Sequence, residues 1–439
     1  MMYDSLQQLQ TDVSSVFSNG SVTDVSKLRS TIIDQLVFTA VFAEDEVLKK
    51  EARAQIRAIA QATGAKPASI IDFYLNIGKG EIKADFTVPA INVRALNYDM
   101  SRIIFRLMIT RNIGPVVFEI ARSEIEYTAQ RPDEFTVVVL AAAIKEGYAG
   151  PVYLQADHVQ FSAKKYAADP ETEKEKIKAL IKEAIEADFY NIDIDASTLV
   201  DLTKPNHEEQ QITNYEVTAE LTEFIRSLQP KGVEISIGAE IGHIGGVNSN
   251  AEDLSAFMEG YTKLIAGKLT GISKISVQTG SSHGGVIKPD GTIADVSIDF
   301  NVIEETGKVA KEKYHIGGVV QHGASTLPSD LFNKFPQHHT LEIHLATGFQ
   351  NIVYDTMPQA LKEEIFIWLE ANKQAEWDEE KNTKEQNLYK TRKRAIGPFK
   401  KQLWTLSDAD KHPILQQLEK QLSFLFDQLN ISDTKKLLR

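Results

Sequence analysis

Eight short, β-rich apolar runs alternate with longer helical stretches between residues 86 and 360, and this rhythm restricts the fold more than any other feature of the chain. The runs cover residues 86–92, 115–120, 151–156, 189–194, 233–239, 272–278, 316–321 and 340–345. Their average spacing of about 34 residues is typical of βα units, and eight such units close into a parallel barrel. The pattern therefore predicts an α/β protein built on a (β/α)8 TIM barrel.

A doubly wound parallel sheet is the alternative fold. It would need a glycine-rich phosphate turn, G-x-G-x-x-G, directly after its first strand. Residues 86–93 read FTVPAINV and contain no glycine. We therefore prefer the barrel.

The segments on either side of the predicted barrel have a helical pattern. Apolar residues such as Leu28, Ile32 and Leu36 recur every three or four positions in residues 1–82, where no strand pattern appears. We divide the chain into a helical N-terminal extension (1–82), a catalytic barrel (83–360) and a helical C-terminal segment (361–439). The extension is expected to serve packing or oligomerisation, and the C-terminal segment to close the barrel or make subunit contacts.

The charge and the cysteine content limit the partners and metal ligands that the protein can have. The 439 residues carry 48 basic and 61 acidic side chains, a net charge of -13, so the overall field repels nucleic acid and anionic membranes. No apolar stretch reaches the roughly 18 residues that a membrane span needs, and the first residues lack the pattern of a signal peptide. Because the chain has no cysteine, its candidate metal ligands are histidines and carboxylates. We expect a soluble, cytoplasmic protein that binds neither nucleic acid nor membranes.

Polar residues follow the apolar runs, and barrels of this kind carry their reacting groups at the carboxyl ends of the strands. The third run leads into Asp157 and His158, the fifth into Glu240, the sixth towards His283 and the seventh into His322. Three imidazoles and a carboxylate at one barrel mouth match a divalent cation such as Zn²⁺. The alternative is that these residues cap helices or bond loop carbonyls.

Two loops at the predicted mouth are rich in small residues. Residues 281–285 read SSHGG and residues 322–325 read HGAS. Backbone N–H groups in such loops can approach a ligand closely, as phosphate binding requires. The loops therefore indicate where an anionic group could bind in an otherwise acidic protein.

Six short motifs occur in chain order. They are AINV at 90–93, QADH at 155–158, IDAS at 194–197, AEIGHIGG at 239–246, HG at 283–284 and VQHGASTLP at 320–328. Together they resemble the class II, metal-dependent fructose-bisphosphate aldolases and their tagatose-bisphosphate relatives. The resemblance covers residues 86 to about 400.

The resemblance implies a retro-aldol reaction in which a divalent cation, zinc in most members, stabilises an enediolate. It makes Asp157 the general acid/base, and Asp195 a residue that approaches the ion or orients a ligand. The metal ligands that it implies are His158, His283 and His322, with Glu240 near the ion or at a second position. The positions that match substrate, phosphate or monovalent-cation sites are Asn92, Gly284, Gly323, Ser325 and Thr347.

Departures from the family pattern on strand eight and at Arg122 affect the predicted site, and a basic cluster at residues 390–398 lies where the family has a basic segment. Strand eight reads EIHLATG at 342–348, where the family commonly has K-x-N-x-x-T-[DE]. His344 thus replaces an asparagine that donates to the enediolate, and we treat it as a catalytic residue, as a donor or as a different substrate contact. Arg122 could bind a phosphate or carboxylate, or pair with a surface carboxylate. Arg392 or Arg394 could reach a distal phosphate, or begin a solvated helix.

We predict a metal-dependent aldolase that cleaves and forms a C–C bond of a phosphorylated ketose similar to fructose 1,6-bisphosphate. A carbohydrate epimerase with related enediolate chemistry is one alternative, and a non-catalytic barrel that binds a sugar phosphate is another. The expected cofactor is Zn²⁺ or another divalent metal, with a monovalent cation as a further candidate. The helical ends favour a homo-oligomer, either a dimer or a tetramer.

Overall fold

Eight parallel strands form a closed barrel at the centre of the computed structural model, which describes residues 2–242, 247–265, 269–280 and 298–438. The strands are β1 (Val88–Asn92), β2 (Val117–Ala121), β3 (Gly150–Gln160), β4 (Asn191–Asp195), β5 (Ser236–Glu240), β6 (Lys274–Val277), β7 (Val319–Gln321) and β8 (Glu342–Leu345). Neighbouring strands pair in parallel, and β8 pairs with β1, with His344 opposite Ala90. The predicted (β/α)8 barrel is confirmed.

Helices connect the strands, as the alternating pattern predicts. They begin where side chains can satisfy free backbone N–H groups: Asn206 accepts from the N–H of Glu209, and Asp299 accepts from that of Asn301. The helices after successive strands are Asn97–Thr110, Arg122–Tyr127, Pro132–Glu146, Ala163–Ala168, Pro170–Glu186, His207–Leu228, Ala251–Ile265, Phe300–Glu312, Lys334–Gln337 and Thr347–Thr356.

The helix Pro132–Glu146 explains why an N-terminal extension packs on the barrel. Its residues from Phe135 to Ile144 are all buried, so both sides of the helix need cover. The helices Ile33–Phe42 and Glu46–Thr63 of the extension pack against it, and Arg29 donates to the carbonyl of Ile144 at 3.0 Å. The other helices of the extension are Leu6–Ser14, Val25–Lys27, the π-helix Leu28–Ile32 and Ile71–Gly78.

One part of the extension differs from the expected all-helical pattern. Residues Ala65–Pro67 form a short strand that pairs in parallel with the start of β3, with Ala65 opposite Gly150. A small hairpin, Phe17–Ser18 with Ser21–Val22, is a second departure. The expectation of no strands in residues 1–82 is therefore wrong. Strands this short have too few residues to show alternation, and the first depends on a partner some 85 residues away along the chain.

The C-terminal segment is helical and packs on the barrel. Its helix Asp408–Gln428 packs against the helices that follow β1 and β8. Gly397 approaches the carbonyl of Tyr127 so closely that a Cβ atom there would lie 2.8 Å from it. The remaining helices of the segment are Gln359–Lys373, Lys384–Thr391 and Lys400–Trp404. Among the helices in the described part of the chain, none is long and apolar enough to cross a membrane.

Candidate active site and metal centre

Asp157 and His158 are adjacent in sequence, yet both line the cavity at the carboxyl ends of the strands. A regular strand sends successive side chains to opposite faces. Here the pairing of β3 with β4 shifts register between Ala156 and Val159, and His158 has a positive φ of 42°. Such bulges re-aim side chains next to active sites. The bulge brings both groups into one mouth by holding His158 in a conformation that non-glycine residues rarely adopt.

His158 and His322 converge with two carboxylates at this bulge. Nδ1 of His158 lies 3.0 Å from Oδ2 of Asp195 and 3.4 Å from Oε2 of Glu240. Nδ1 of His322 lies 3.6 Å from the same oxygen of Glu240, and the two imidazole centroids are 4.1 Å apart. Imidazole nitrogens and carboxylate oxygens at these separations are a donor set that a divalent cation such as Zn²⁺ accepts.

Burial and neighbouring charges shift the pKa values of His158, Glu240 and Asp195. Burial lowers the pKa of His158, but the charge of Asp157 and the hydrogen bond to Asp195 raise it well above its usual value. Burial and the charge of Asp195 raise the pKa of Glu240 well above its usual value. Burial would raise the pKa of Asp195 too, but hydrogen bonds from His158 and Ser197 lower it. Protons and a metal ion therefore compete for these nitrogens and oxygens.

Asp157 lines the cavity and is 3% exposed. Nδ2 of Asn92 donates to its Oδ2 at 2.8 Å, and Nδ1 of His344 lies 3.1 Å from its Oδ1. Burial raises the pKa of this carboxyl, but the charges of His158 and His344 lower it well below its usual value. A fixed, ionised carboxylate beside candidate metal ligands is suited to take a proton from a substrate hydroxyl.

Both ring nitrogens of His344 face carboxylates. Nδ1 lies 3.1 Å from Oε1 of Glu119 as well as from Asp157, and Nε2 lies 2.8 Å from Oε1 of Glu342. Burial lowers the pKa of His344, but the charges of Glu119 and Asp157 raise it well above its usual value. The donor capacity that sequence analysis expected is thus directed at carboxylates of the protein itself.

The interior of the barrel next to His344 holds charged side chains, although branched apolar residues usually fill this space. Lys274 on β6 is 1% exposed and contacts Glu342 on β8. Its Nζ also donates to Oε1 of Gln155 at 2.8 Å and to Oδ2 of Asp193 at 2.9 Å. Burial raises the pKa of Glu342, but Lys274 and His344 lower it to about 2. Oxygen atoms of Glu342, Gln155 and Asp193 thus enclose the Lys274 ammonium.

Sequence analysis missed Lys274, Asp193 and Glu119 as neighbours of the site. A charged residue inside an otherwise apolar run is the signal that could have found them, because a buried charge requires a partner. No such signal points to Tyr74, whose hydroxyl donates to Glu342 from a helix of the N-terminal extension. That contact joins residues far apart in the sequence.

A cavity of about 890 Å³ opens at the bulge of β3, and its wall is rich in cationic side chains. Arg122 lines it, donates to the carbonyl of Gln160 at 2.6 Å and pairs with Glu173 at 2.9 Å. The ion-pair partner of Arg122 is thus a buried carboxylate and not the surface carboxylate that the sequence suggested, and the Arg122 side chain also lines the cavity. The lysines on the wall, none of which forms an ion pair with a described carboxylate, are Lys165, Lys390 and Lys393.

Arg94 is a cavity residue that sequence analysis missed. Its Nε donates to Oε1 of Glu124 at 2.6 Å, and its Nη1 lies 3.2 Å both from Oγ1 of Thr347 and from Oε1 of Gln350. Thr347 begins the helix after β8, so Arg94 spans the wall between the ends of β1 and β8. Its position two residues after the end of β1 is the signal that could have found it.

The other predicted substrate residues lie in different surroundings. Gly323 has a φ of 70° and lines the cavity after β7, and Ser325 lies in the short helix that follows. Arg394 is not among the residues that line the cavity, and its Nε pairs with Glu376 at 2.9 Å. The predicted residues that lie outside the described part of the chain are His283 and Gly284.

A comparison with protein families accounts for these features. The family model described as fructose-bisphosphate aldolase class-II matches residues 79–403, which is most of the chain. The chain belongs to this family. The resemblance of the sequence motifs is thereby confirmed. Membership of the class II aldolases supports an aldolase-type activity, and the family in general depends on a divalent metal.

Two solved structures that resemble this fold are distant from the chain in sequence. A fructose-bisphosphate aldolase (Fba) from Campylobacter jejuni is 18% identical, with 84% of this chain and 97% of that chain covered and a TM-score of 0.50. A probable tagatose 6 phosphate kinase from Sinorhizobium meliloti 1021 is 14% identical, with 78% and 100% covered and a TM-score of 0.58. At these identities the similarity to either structure concerns the fold alone. No curated protein matches the chain.

Proposed function

We propose that this class II aldolase is a divalent-metal-dependent lyase that cleaves and forms a C–C bond of a phosphorylated ketose. The observation that carries the proposal is that Asp157 and His158 line a cationic cavity, with Nε2 of His322 4.0 Å from Oδ1 of Asp157. A proton-transfer group, candidate metal ligands and an anion-attracting wall are what such a reaction requires.

The residues that would hold the metal are His158, His322 and Glu240, because their nitrogen and oxygen atoms converge and no thiolate competes with them. Asp195 lies 3.0 Å from the same nitrogen, Nδ1 of His158, so it would be a further oxygen ligand of a metal bound there, or would orient the ring of a His158 that binds the metal through Nε2. His283 is a further proposed ligand from outside the described residues. When bound, a divalent cation supplies a Lewis acid that stabilises negative charge next to a substrate carbonyl.

Asp157 is the proposed general base in the cleavage direction. Its carboxylate takes the proton of the hydroxyl on the carbon beyond the scissile bond, that oxygen forms a carbonyl, and the C–C bond breaks. The bonding electrons remain on the ketone fragment, which then takes up a proton. Asn92 and His344 hold the two oxygens of Asp157, so the carboxylate keeps its orientation through the reaction.

The phosphate of the substrate would bind at the cationic wall. Gly323 and Thr347 lie at the ends of β7 and β8, where helix N-termini offer backbone N–H groups. Lys165, Lys390 and Lys393 add positive charge in a protein whose net charge is -13. This local reversal of sign favours an anionic substrate.

The test is elemental analysis of protein purified without chelator, together with cleavage assays on fructose and tagatose 1,6-bisphosphates that detect triose phosphate before and after EDTA. About one metal per chain and EDTA-sensitive release of triose phosphate would support the proposal. Bound metal with an isomeric product in place of two fragments would favour an epimerase. Absence of both metal and turnover would favour a non-catalytic sugar-phosphate-binding barrel.

We also propose that the protein is a homo-oligomer, as the helical ends suggest. Light scattering coupled to gel filtration tests this directly. A dimer or tetramer mass would support it, and a monomer mass would contradict it.

A further inference from the structure

Glu124 is a buried carboxylate that no proposed step of the reaction uses. It is 2% exposed and lies on the short helix after β2. Its Oε2 accepts from Nδ2 of Asn92 at 3.0 Å and from the backbone N–H of Ala121 at 3.0 Å. Its Oε1 accepts from Nε of Arg94 at 2.6 Å. Both oxygens of Glu124 are therefore occupied by donors.

The chemistry of these contacts determines which way the Asn92 side chain points. An amide can present either its nitrogen or its oxygen to a neighbour, whereas an ionised carboxylate only accepts. Facing Glu124 at 3.0 Å, Asn92 must present Nδ2. The second hydrogen of that nitrogen then points to Oδ2 of Asp157 at 2.8 Å. Reversing the amide would set its oxygen against two carboxylates.

We propose that Glu124 is a positioning residue that orients Asn92, and through it Asp157, for the proton transfer. The proposal depends on the proposed function in one respect only, which is the assignment of the proton transfer to Asp157. Arg94 completes the arrangement, because it holds the other oxygen of Glu124 and also contacts Thr347 at 3.2 Å. Through Glu124 and Arg94, the orientation of Asp157 is connected to the side of the cavity where the substrate phosphate is proposed to bind.

A purely structural role for Glu124 is the competing explanation, since its bond to the N–H of Ala121 also caps the helix. The experiment compares wild type, Glu124→Gln, Asn92→Ala and the double variant in kcat and KM for the ketose bisphosphate. Glutamine has one carbonyl oxygen and cannot accept on both sides. Glu134→Gln is the matched control, because Glu134 is also buried and paired, with Lys400, but lies outside the cavity.

We expect Glu124→Gln to lower kcat by about 10- to 100-fold with KM and metal content nearly unchanged. In the Asn92→Ala background the same substitution should cause little further loss, because its effect passes through Asn92. Glu134→Gln should lower stability and leave kcat unchanged. If the fold losses in kcat of the two single variants multiply in the double variant, the positioning role is overturned. Helix capping is then the function of Glu124.

Neutron crystal structures of wild type and Glu124→Gln, which distinguish the nitrogen and oxygen of an amide, provide a measurement that does not depend on turnover. The contact between Nδ2 of Asn92 and Asp157 should be present in the wild type and lost in the variant. If it persists in the variant, the proposal is overturned even when the enzyme is active. If wild type cleaves neither ketose but the contact is lost as expected, the proposed substrate fails while the control of Asn92 by Glu124 stands.

Discussion

Nζ of Lys274 on β6 lies 2.9 Å from Oδ2 of Asp193 on β4, and that same oxygen lies 3.8 Å from Nε2 of His344. The buried charges of the barrel interior are therefore in contact with the candidate active site. Lys274 is the cation that compensates both Asp193 and Glu342. Stability and the geometry of the site should thus depend on the same ammonium group.

Lys274→Met should destabilise the fold strongly. Removing the ammonium leaves Asp193 and Glu342 buried with His344 as their remaining cationic neighbour among the described residues, a change that costs up to about 3–5 kcal/mol. Urea unfolding of wild type and variant measures the difference. The control is Lys313→Met, because the side chains of the Lys313–Glu259 pair are 50% and 54% exposed and the pair should contribute little to stability. Equal effects for the two variants would contradict the role of Lys274.

Glu342 should make stability depend on pH in the acid range. Its folded pKa of about 2 lies below the ordinary value of 4.5, so the folded state binds fewer protons than the unfolded state. The stabilisation is complete above about pH 4.5 and is lost as pH falls towards 2. The difference in unfolding free energy between wild type and Glu342→Gln, measured by urea titration, should therefore shrink over that interval. A difference that stays constant from pH 5 to 3 would contradict the shift.

Asp157→Ala should lower turnover by about 10²–10⁴-fold and leave the metal in place. The carboxylate is assigned to proton transfer, whereas His158, His322 and Glu240 are assigned to the metal. Steady-state cleavage assays and elemental analysis on the same preparation measure both quantities. Loss of the metal together with activity would instead make Asp157 a ligand.

The His344→Asn variant tests whether His344 needs to supply only one hydrogen-bond donor or must contact two carboxylates. Asparagine has a single NH₂ group and cannot reach both Asp157 and Glu342, which His344 contacts through opposite ring nitrogens. We expect lower kcat and a loss of about 1–3 kcal/mol in stability, because one of the two carboxylates loses a charge-assisted hydrogen bond. His207→Asn is the control, since His207 pairs with one carboxylate and its side chain is 43% exposed. Full activity in His344→Asn would show that one hydrogen-bond donor is enough.

His322→Ala and His283→Ala should each abolish metal occupancy and activity together. His322 shares an oxygen of Glu240 with His158, so its loss removes one of the convergent donors. Elemental analysis after dialysis against a metal-free buffer is the direct readout. A metal-replete, active variant at either position would remove that histidine from the ligand set.

The position of the chemistry could be predicted because strand ends converge in any barrel of this type. Once residues 151–156 and 316–321 are read as strands, Asp157, His158 and His322 are all placed at the same rim of the barrel. The β-bulge was not predictable, because it depends on how β3 pairs with β4. Without it, strand alternation would have separated Asp157 from His158. Strand register is a property of two segments, and neither contains it alone.

The sequence by itself determined the barrel, its eight strands, the family and the residues at the strand ends, because these follow from local periodicity and short motifs. Only the tertiary structure decided which charges meet. It placed Lys274 among carboxylates from other strands, gave Arg122 the partner Glu173 and joined Arg94 to Glu124. Such pairs form between side chains far apart in the chain, and burial makes each depend on its partner. No local sequence pattern indicates which charged residues will pair.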